Sequence, residues 1–151
     1  MKKRKWILLV EDNRYDADLA MRVLAANKTP ESVEVVVTRD GAEALDCLYR
    51  KGGFQSRSDG PPVVVLLDLK MPKVDGIEVL RQIKSDPALK TIPVVVLTSS
   101  REEQDLIRSY NLGVNAYVVK PVDFHEFIDA VKLLGGFWAV VNETPPDRAI
   151  A

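Results

Sequence analysis

The chain has 151 residues, enough for one domain with a full core but not for a DNA-binding module beside it. Its formal net charge is −1, so no global field draws it to nucleic acid, and no apolar run approaches transmembrane length. The Lys2-Lys3-Arg4-Lys5 start meets Glu11 after only the short apolar stretch Trp6 to Val10, so it reads as a solvated lead-in rather than a secretory leader. The one cysteine, Cys47, has no disulfide partner within the chain, which suits the cytoplasm, and it reads as a small apolar filler on a helix.

In chain order, Ile7-Leu8-Leu9-Val10 reads as a first strand running into Glu11-Asp12. A stretch of good helix formers carrying Leu19, Met21, Val23 and Leu24 ends near Asn27 and is broken by Thr29-Pro30. Val33 to Val37 is the second strand, and Ala44, Leu45 and Leu48 mark the inward stripe of the second helix. Gly52 to Pro62, rich in Gly, Ser and Pro, has no periodicity and is expected to be a connecting loop. Val63 to Asp68 is the third strand, and Ile77, Leu80 and Ile83-Lys84 carry helix spacing up to Asp86-Pro87. Pro93 to Thr98 is the fourth strand, followed by a charged helix from Arg101 to about Asn111 with Gly113 as its left-handed cap. Ala116 to Val119 is the fifth strand, after which Asp123 caps a fifth helix with Glu126 three residues on. Phe124, Phe127-Ile128, Val131, Leu134, Trp138 and Val141 keep one phase through Gly135-Gly136, so this helix is expected to run to about Val141, with Glu143 to Ala151 frayed.

Five βα units in alternation predict a doubly wound α/β domain, a parallel sheet with right-handed crossovers and helices on both faces. Ligands of such sheets bind just beyond the carboxyl ends of the strands. Glu11, Asp12, Asp68, Thr98 and Lys120 all follow or end apolar strands and are therefore expected at one edge. Carboxylates so close raise one another's pKa unless a cation intervenes, and oxygen ligands without His or Cys select a hard ion such as Mg²⁺. Lys120 supplies a point charge that can pair with Asp68 and with an added phosphoryl group, and Pro121 invites a special geometry, such as a cis bond, to aim it. Each residue also has a plainer reading: Asp is common after strands as a cap or turn residue, and Thr98 suits a strand that needs one backbone group satisfied. Asp16, a turn into the first helix, is expected to face away from this edge, and His125 to face solvent.

Leu9-Val10-Glu11-Asp12-Asn13, Leu67-Asp68-Leu69-Lys70-Met71-Pro72 with Asp75-Gly76, Leu97-Thr98-Ser99 and Val119-Lys120-Pro121 resemble, in order, the motifs of two-component response-regulator receiver domains, from Ile7 to about Leu134. The resemblance implies a flavodoxin-like sheet of strand order 2-1-3-4-5, with a receiver over residues 5–134 and a C-terminal helical extension and tail over 135–151. It implies that Asp68 is the phospho-acceptor, that Glu11, Asp12, Asp68 and the Lys70 backbone carbonyl hold Mg²⁺, that Thr98 and Lys120 contact the phosphoryl group, and that Thr98 and Tyr117 form the switch. Such a protein takes a phosphoryl group from a sensor histidine kinase and signals through a changed docking surface, rather than turning over an external substrate. The Phe137-Trp138 pair, the long loop and the Glu11-Asp12-Asn13 opening resemble the phytochrome-associated subset, implying a phytochrome-type kinase.

The apolar stripe past Leu134 is expected to have little left to cover within its own subunit, which predicts a homodimer through the fourth helix, fifth strand, fifth helix and tail. Two other classes compete. A haloacid-dehalogenase-type phosphatase needs a second acid two residues after its nucleophile, where this chain has Lys70. A pseudo-receiver that only binds or dimerises would usually lack one of the acids or the lysine.

Overall fold

The computed structural model describes residues 5–26, 33–55, 60–71 and 73–146. Strands β1 (Lys5–Val10), β2 (Val33–Thr38), β3 (Val64–Leu67), β4 (Val94–Thr98) and β5 (Ala116–Val119) alternate with helices α1 (Arg14–Ala25), α2 (Gly41–Tyr49), α3 (Gly76–Ser85), α4 (Glu103–Asn111) and α5 (Phe124–Gly135). The strands form one parallel sheet in the order β2-β1-β3-β4-β5, the flavodoxin-like arrangement.

Both faces of that sheet are covered, which explains the unbroken apolar runs of its inner strands β1, β3 and β4, while the edge strand β2 carries Glu34. Side chains alternate across a strand, so Trp6, Leu8 and Val10 join one core with Ala44, Cys47, Val79, Leu80 and Ile83, beneath α2 and α3. Ile7 and Leu9 join the other with Ala20, Leu24, Phe127 and Val131, beneath α1 and α5. Cys47 is buried in the first core, as a small apolar side chain would be.

Four helices begin with the same device. Asn13, Asp40, Asp75 and Asp123 each accept the amide of the residue three places on, at 2.8 to 3.0 Å, which offsets one unpaired helix donor for about 1 kcal/mol each. The fourth helix differs: Glu102 makes no side-chain cap, and Ser100 Oγ accepts the Glu102 amide instead. It starts two residues later than its charge pattern suggests, and Gly113 takes the left-handed φ of 97° expected of its cap.

Two differences from the sequence expectations have local causes. Part of the Gly52 to Pro62 segment is ordered as a 3₁₀ turn, Gly52–Phe54, whose Phe54 packs against the first core. The Thr29-Pro30 break lies outside the described residues, while α1 already ends at Ala25. The fifth helix does continue to Val141, but over Gly136–Val141 it is a π-helix, with the Asn142 amide bonded to the Phe137 carbonyl five residues back at 2.7 Å. That wider turn shifts the phase. Ala139 becomes buried, Leu134 and Trp138 pack on the second core of their own subunit, and Val141 is 70% exposed. The stripe therefore does cover its own domain, and the apolar groups left facing out are Leu133, Phe137, Val140 and Val141.

Candidate functional site

β1 and β3 are neighbours, and their last residues, Val10 and Leu67, pair in register. The acids that follow them emerge side by side at the carboxyl edge. Asp68 is held by its own amide, which donates to the Val10 carbonyl at 3.0 Å, and Glu11 by its amide on the Thr38 carbonyl at 3.0 Å. The loop after Asp68 is pinned by Gly76, because any Cβ there would lie 2.3 Å from the Asp68 carbonyl oxygen. Only glycine lets α3 start so close to the strand end.

Glu11 and Asp68 are 3% and 7% exposed, while Asp12 sits at the surface. One carboxylate oxygen from each of Glu11, Asp12 and Asp68 lies within 4.8 Å of the other two. Asp68 Oδ1 accepts the Lys70 amide at 3.4 Å. Burial pushes the Glu11 carboxyl up to about 7; the bond from Lys120 opposes this and the charge of Asp68 adds to it. Three carboxylates with no imidazole or thiolate beside them are an oxygen-only donor set. That chemistry fits a hard divalent cation.

Lys120 reaches the acids from the end of β5, its amide donating to the Thr98 carbonyl at 2.7 Å. Its side chain is 10% exposed, and the ammonium pairs with Glu11 Oε1, with Asp16 Oδ2 at 3.0 Å and with Asp68 Oδ2 at 3.5 Å. Burial alone would lower its pKa, but the bond and charge of Glu11, then Asp68 and Asp16, raise it to about 12. With Glu11, Asp16 and Asp68 around it the ammonium is firmly charged.

Two expectations are corrected here. No cis peptide bond occurs among the described residues, so Lys120 is aimed by strand pairing with β4 and not by a cis Pro121. Asp16 faces the edge and not away from it. Side chains in a helix lean toward its amino end, so an acid in the first turn of α1 is carried back over the strand termini.

Thr98 is fully buried, and its Oγ1 accepts the Ser100 amide at 3.3 Å, the backbone-satisfying role open to it from the sequence. Ser100 Oγ donates to Asp105 Oδ2 at 2.6 Å, Lys70 Nζ lies 3.6 Å from the same Asp105 oxygen, and the Tyr117 hydroxyl donates to the Ser100 carbonyl at 3.0 Å. A continuous set of bonds thus runs from Thr98 to α4 and β5. Ser100 and Asp105 escaped the sequence reading, and Asp16 was read with the wrong orientation. Asp16 carried one usable signal, its place three residues after the Asn13 cap, whereas nothing in the sequence marks Ser100 or Asp105. His125 is exposed, as expected.

The sequence matches the response regulator receiver domain family over residues 7–132. Response regulator Rcp1 of Synechocystis sp. is 42% identical over 134 residues, covering 89% of this chain and 88% of that one. The structure of Rcp1 in a Mn²⁺-bound form superposes with a TM-score of 0.86 at 40% identity, over 94% of this chain and 99% of that one. The phosphorylated cyanobacterial phytochrome response regulator RcpA superposes with a TM-score of 0.88 at 43% identity, over 95% and 99%. The bacteriophytochrome response regulator RtBRR is 56% identical, with a TM-score of 0.73 over 97% and 89%. No helix among the described residues is long and apolar enough to cross a membrane.

Proposed function

The chain belongs to the response regulator receiver domain family, signalling proteins rather than turnover enzymes, and from that premise we propose that it accepts a phosphoryl group on Asp68 from a sensor histidine kinase. The observation that carries this is the meeting of a nearly buried Asp68 with Glu11, Asp12 and Lys120 at one sheet edge. An oxygen of the Asp68 carboxylate forms the new bond to phosphorus as the phosphohistidine P–N bond breaks, and the imidazole leaves with the electron pair. Glu11, Asp12, Asp68 and the Lys70 carbonyl would hold Mg²⁺. When bound, that cation supplies positive charge that offsets the approach of two anions. Lys120 places a second positive charge against the phosphoryl oxygens, and the wall of aliphatic groups beneath Asp68 keeps bulk water on one side.

The signal leaves through Thr98. Its hydroxyl, now bonded to the Ser100 amide, turns to a phosphoryl oxygen, and this loosens the loop that Tyr117 holds by the Ser100 carbonyl. The face of α4, β5 and α5 then changes its partner affinity. The kinase would be of the phytochrome type, given the named relatives, and the proposed setting is the cytoplasm. Residues 5–134 would form the receiver and 135–151 its extension. Homodimerisation through α4, β5, α5 and the extension is proposed on the outward Leu133, Phe137, Val140 and Val141; light scattering on the full chain that shows only monomers, phosphorylated or not, would remove it.

Acetyl phosphate tests the core of the proposal. Intact mass should show one Mg²⁺-dependent phosphoryl group on the wild type and none on Asp68→Asn, and equal labelling of both would refute the assignment.

A further inference from the structure

Lys120 has three hydrogens to donate, and three acids stand within its reach. The acceptor, Asp68, is the loosest of them at 3.5 Å, while Asp16 is at 3.0 Å and Glu11 is tighter still. Glu11 also belongs to the cluster of carboxylates suited to a cation, and Asp16 does not. Asp16 is therefore the one carboxylate partner of Lys120 with no other place in the chemistry. Its position is built: the Asp16 amide donates to Asn13 Oδ1 at 3.0 Å, which fixes the first turn of α1, and the side chain, 34% exposed, reaches back to the ammonium across the sheet edge.

Resting on the phospho-acceptor reading above, we propose that Asp16 is a positioning residue for phosphoryl transfer: it anchors the Lys120 ammonium beside α1 and competes with the incoming phosphoryl oxygens for it, so that it sets the rate at which Asp68 is modified. In the step itself an Asp68 oxygen bonds to phosphorus, the donor's bond from phosphorus to its leaving group breaks, and the leaving group keeps the electron pair. Lys120 moves no proton and acts by charge and hydrogen bonds. An ammonium held by Asp16 has to be shared before it can meet the donor's anionic oxygens, and an ammonium released from Asp16 is free to meet them at once.

The test is the rate of labelling by acetyl phosphate, read by intact mass at saturating Mg²⁺. Asp16→Asn should label about fivefold faster than the wild type, the size expected of a partly exposed charge pair, and Asp16→Glu should stay within about twofold of the wild type. A gain from the general loss of a negative charge would look similar, so the decisive arm is the Lys120→Met background. There Asp16→Asn should change nothing, because its route to the reaction is gone. An unchanged or slower Asp16→Asn, or the same acceleration without Lys120, overturns the proposal. Failure of the wild type to label at all would instead overturn the phospho-acceptor reading, so the two failures are distinct.

Discussion

Lys120 and Lys84 are both half-buried, at opposite ends of the same sheet, and they are satisfied in opposite ways. Lys84, on α3, donates to the carbonyls of Lys90 and Ile92 and to Asn115 Oδ1 at 2.9 to 3.2 Å, beside the amino ends of β4 and β5. Its partners are neutral dipoles, and burial lowers its pKa. Lys120, at the carboxyl ends, faces carboxylates, and its pKa rises to about 12 despite burial. The same residue type at similar depth thus serves two ends of one domain. At the amino end the dipoles are matched and the structure is closed, whereas at the carboxyl end like charges are held together and remain available for chemistry.

Exchanging each lysine for methionine should separate the two roles most sharply. Lys120→Met should slow acetyl phosphate labelling at least about tenfold, the size of one lost electrostatic stabiliser. Lys84→Met should leave labelling near the wild-type rate and lower the unfolding free energy by about 1 kcal/mol, because the part-buried Ile92 carbonyl loses its Lys84 donor while Asn115 Oδ1 keeps the Val94 amide. Denaturant unfolding and mass labelling on both variants check this. Slow labelling in both would mean that the two ends are not independent.

A smaller effect is expected where the carboxyl edge meets the signalling face. Thr98→Ala should still be phosphorylated, within about threefold of the wild type if its loss resembles that of one neutral hydrogen bond. Partner binding in that variant should no longer respond to phosphorylation, since the hydroxyl is the link from the phosphoryl group toward Ser100 and Tyr117. Pull-down by the cognate partner with and without phosphodonor measures it, and a wild-type response in Thr98→Ala would break the link.

The smallest effect distinguishes the ends by pH. Folded Glu11 keeps its proton up to about 7, against an ordinary 4.5, so between these values the folded state binds more protons than the unfolded one. Its contribution to stability therefore falls as pH rises through that window. In chelator, Glu11→Gln should flatten this part of the stability profile, and Mg²⁺ should flatten it in the wild type. A profile indifferent to both would mean that Glu11 stays charged throughout as the partner of Lys120.

The carboxyl end was far more legible in the sequence than the amino end. Each strand announced itself by an aliphatic run, and the polar residue that closed each run had to emerge where parallel strands end, so Glu11, Asp12, Asp68, Thr98 and Lys120 could be gathered without a structure. Strand order could not be read this way, because crossovers of similar length fit several orders; the motif resemblance supplied it. Lys84 carried no such mark, since two of its three acceptors are main-chain carbonyls and the third is the side chain of Asn115, none of which a strand or helix pattern picks out. Asp16 was misplaced because helical phase was counted without the lean of first-turn side chains toward the strand ends. The fifth helix does run to Val141 but loses the stripe's phase there, because the π-helical turn at Gly136–Val141 inserts a register shift that a 3.6-residue stripe cannot show; most of the tail from Glu143 to Ala151 lies outside the described residues.

The central claim, that the charged end of the sheet is a phosphoryl site centred on Asp68, is tested most directly by trapping. The protein would be incubated with acetyl phosphate and Mg²⁺ and reduced with borohydride, which converts an aspartyl phosphate to homoserine, and the modified residue located by peptide sequencing in a mass spectrometer. The structure predicts homoserine at position 68 alone, and a trapped residue at Asp12, Asp16 or any other position, with Asp68 intact, would contradict it.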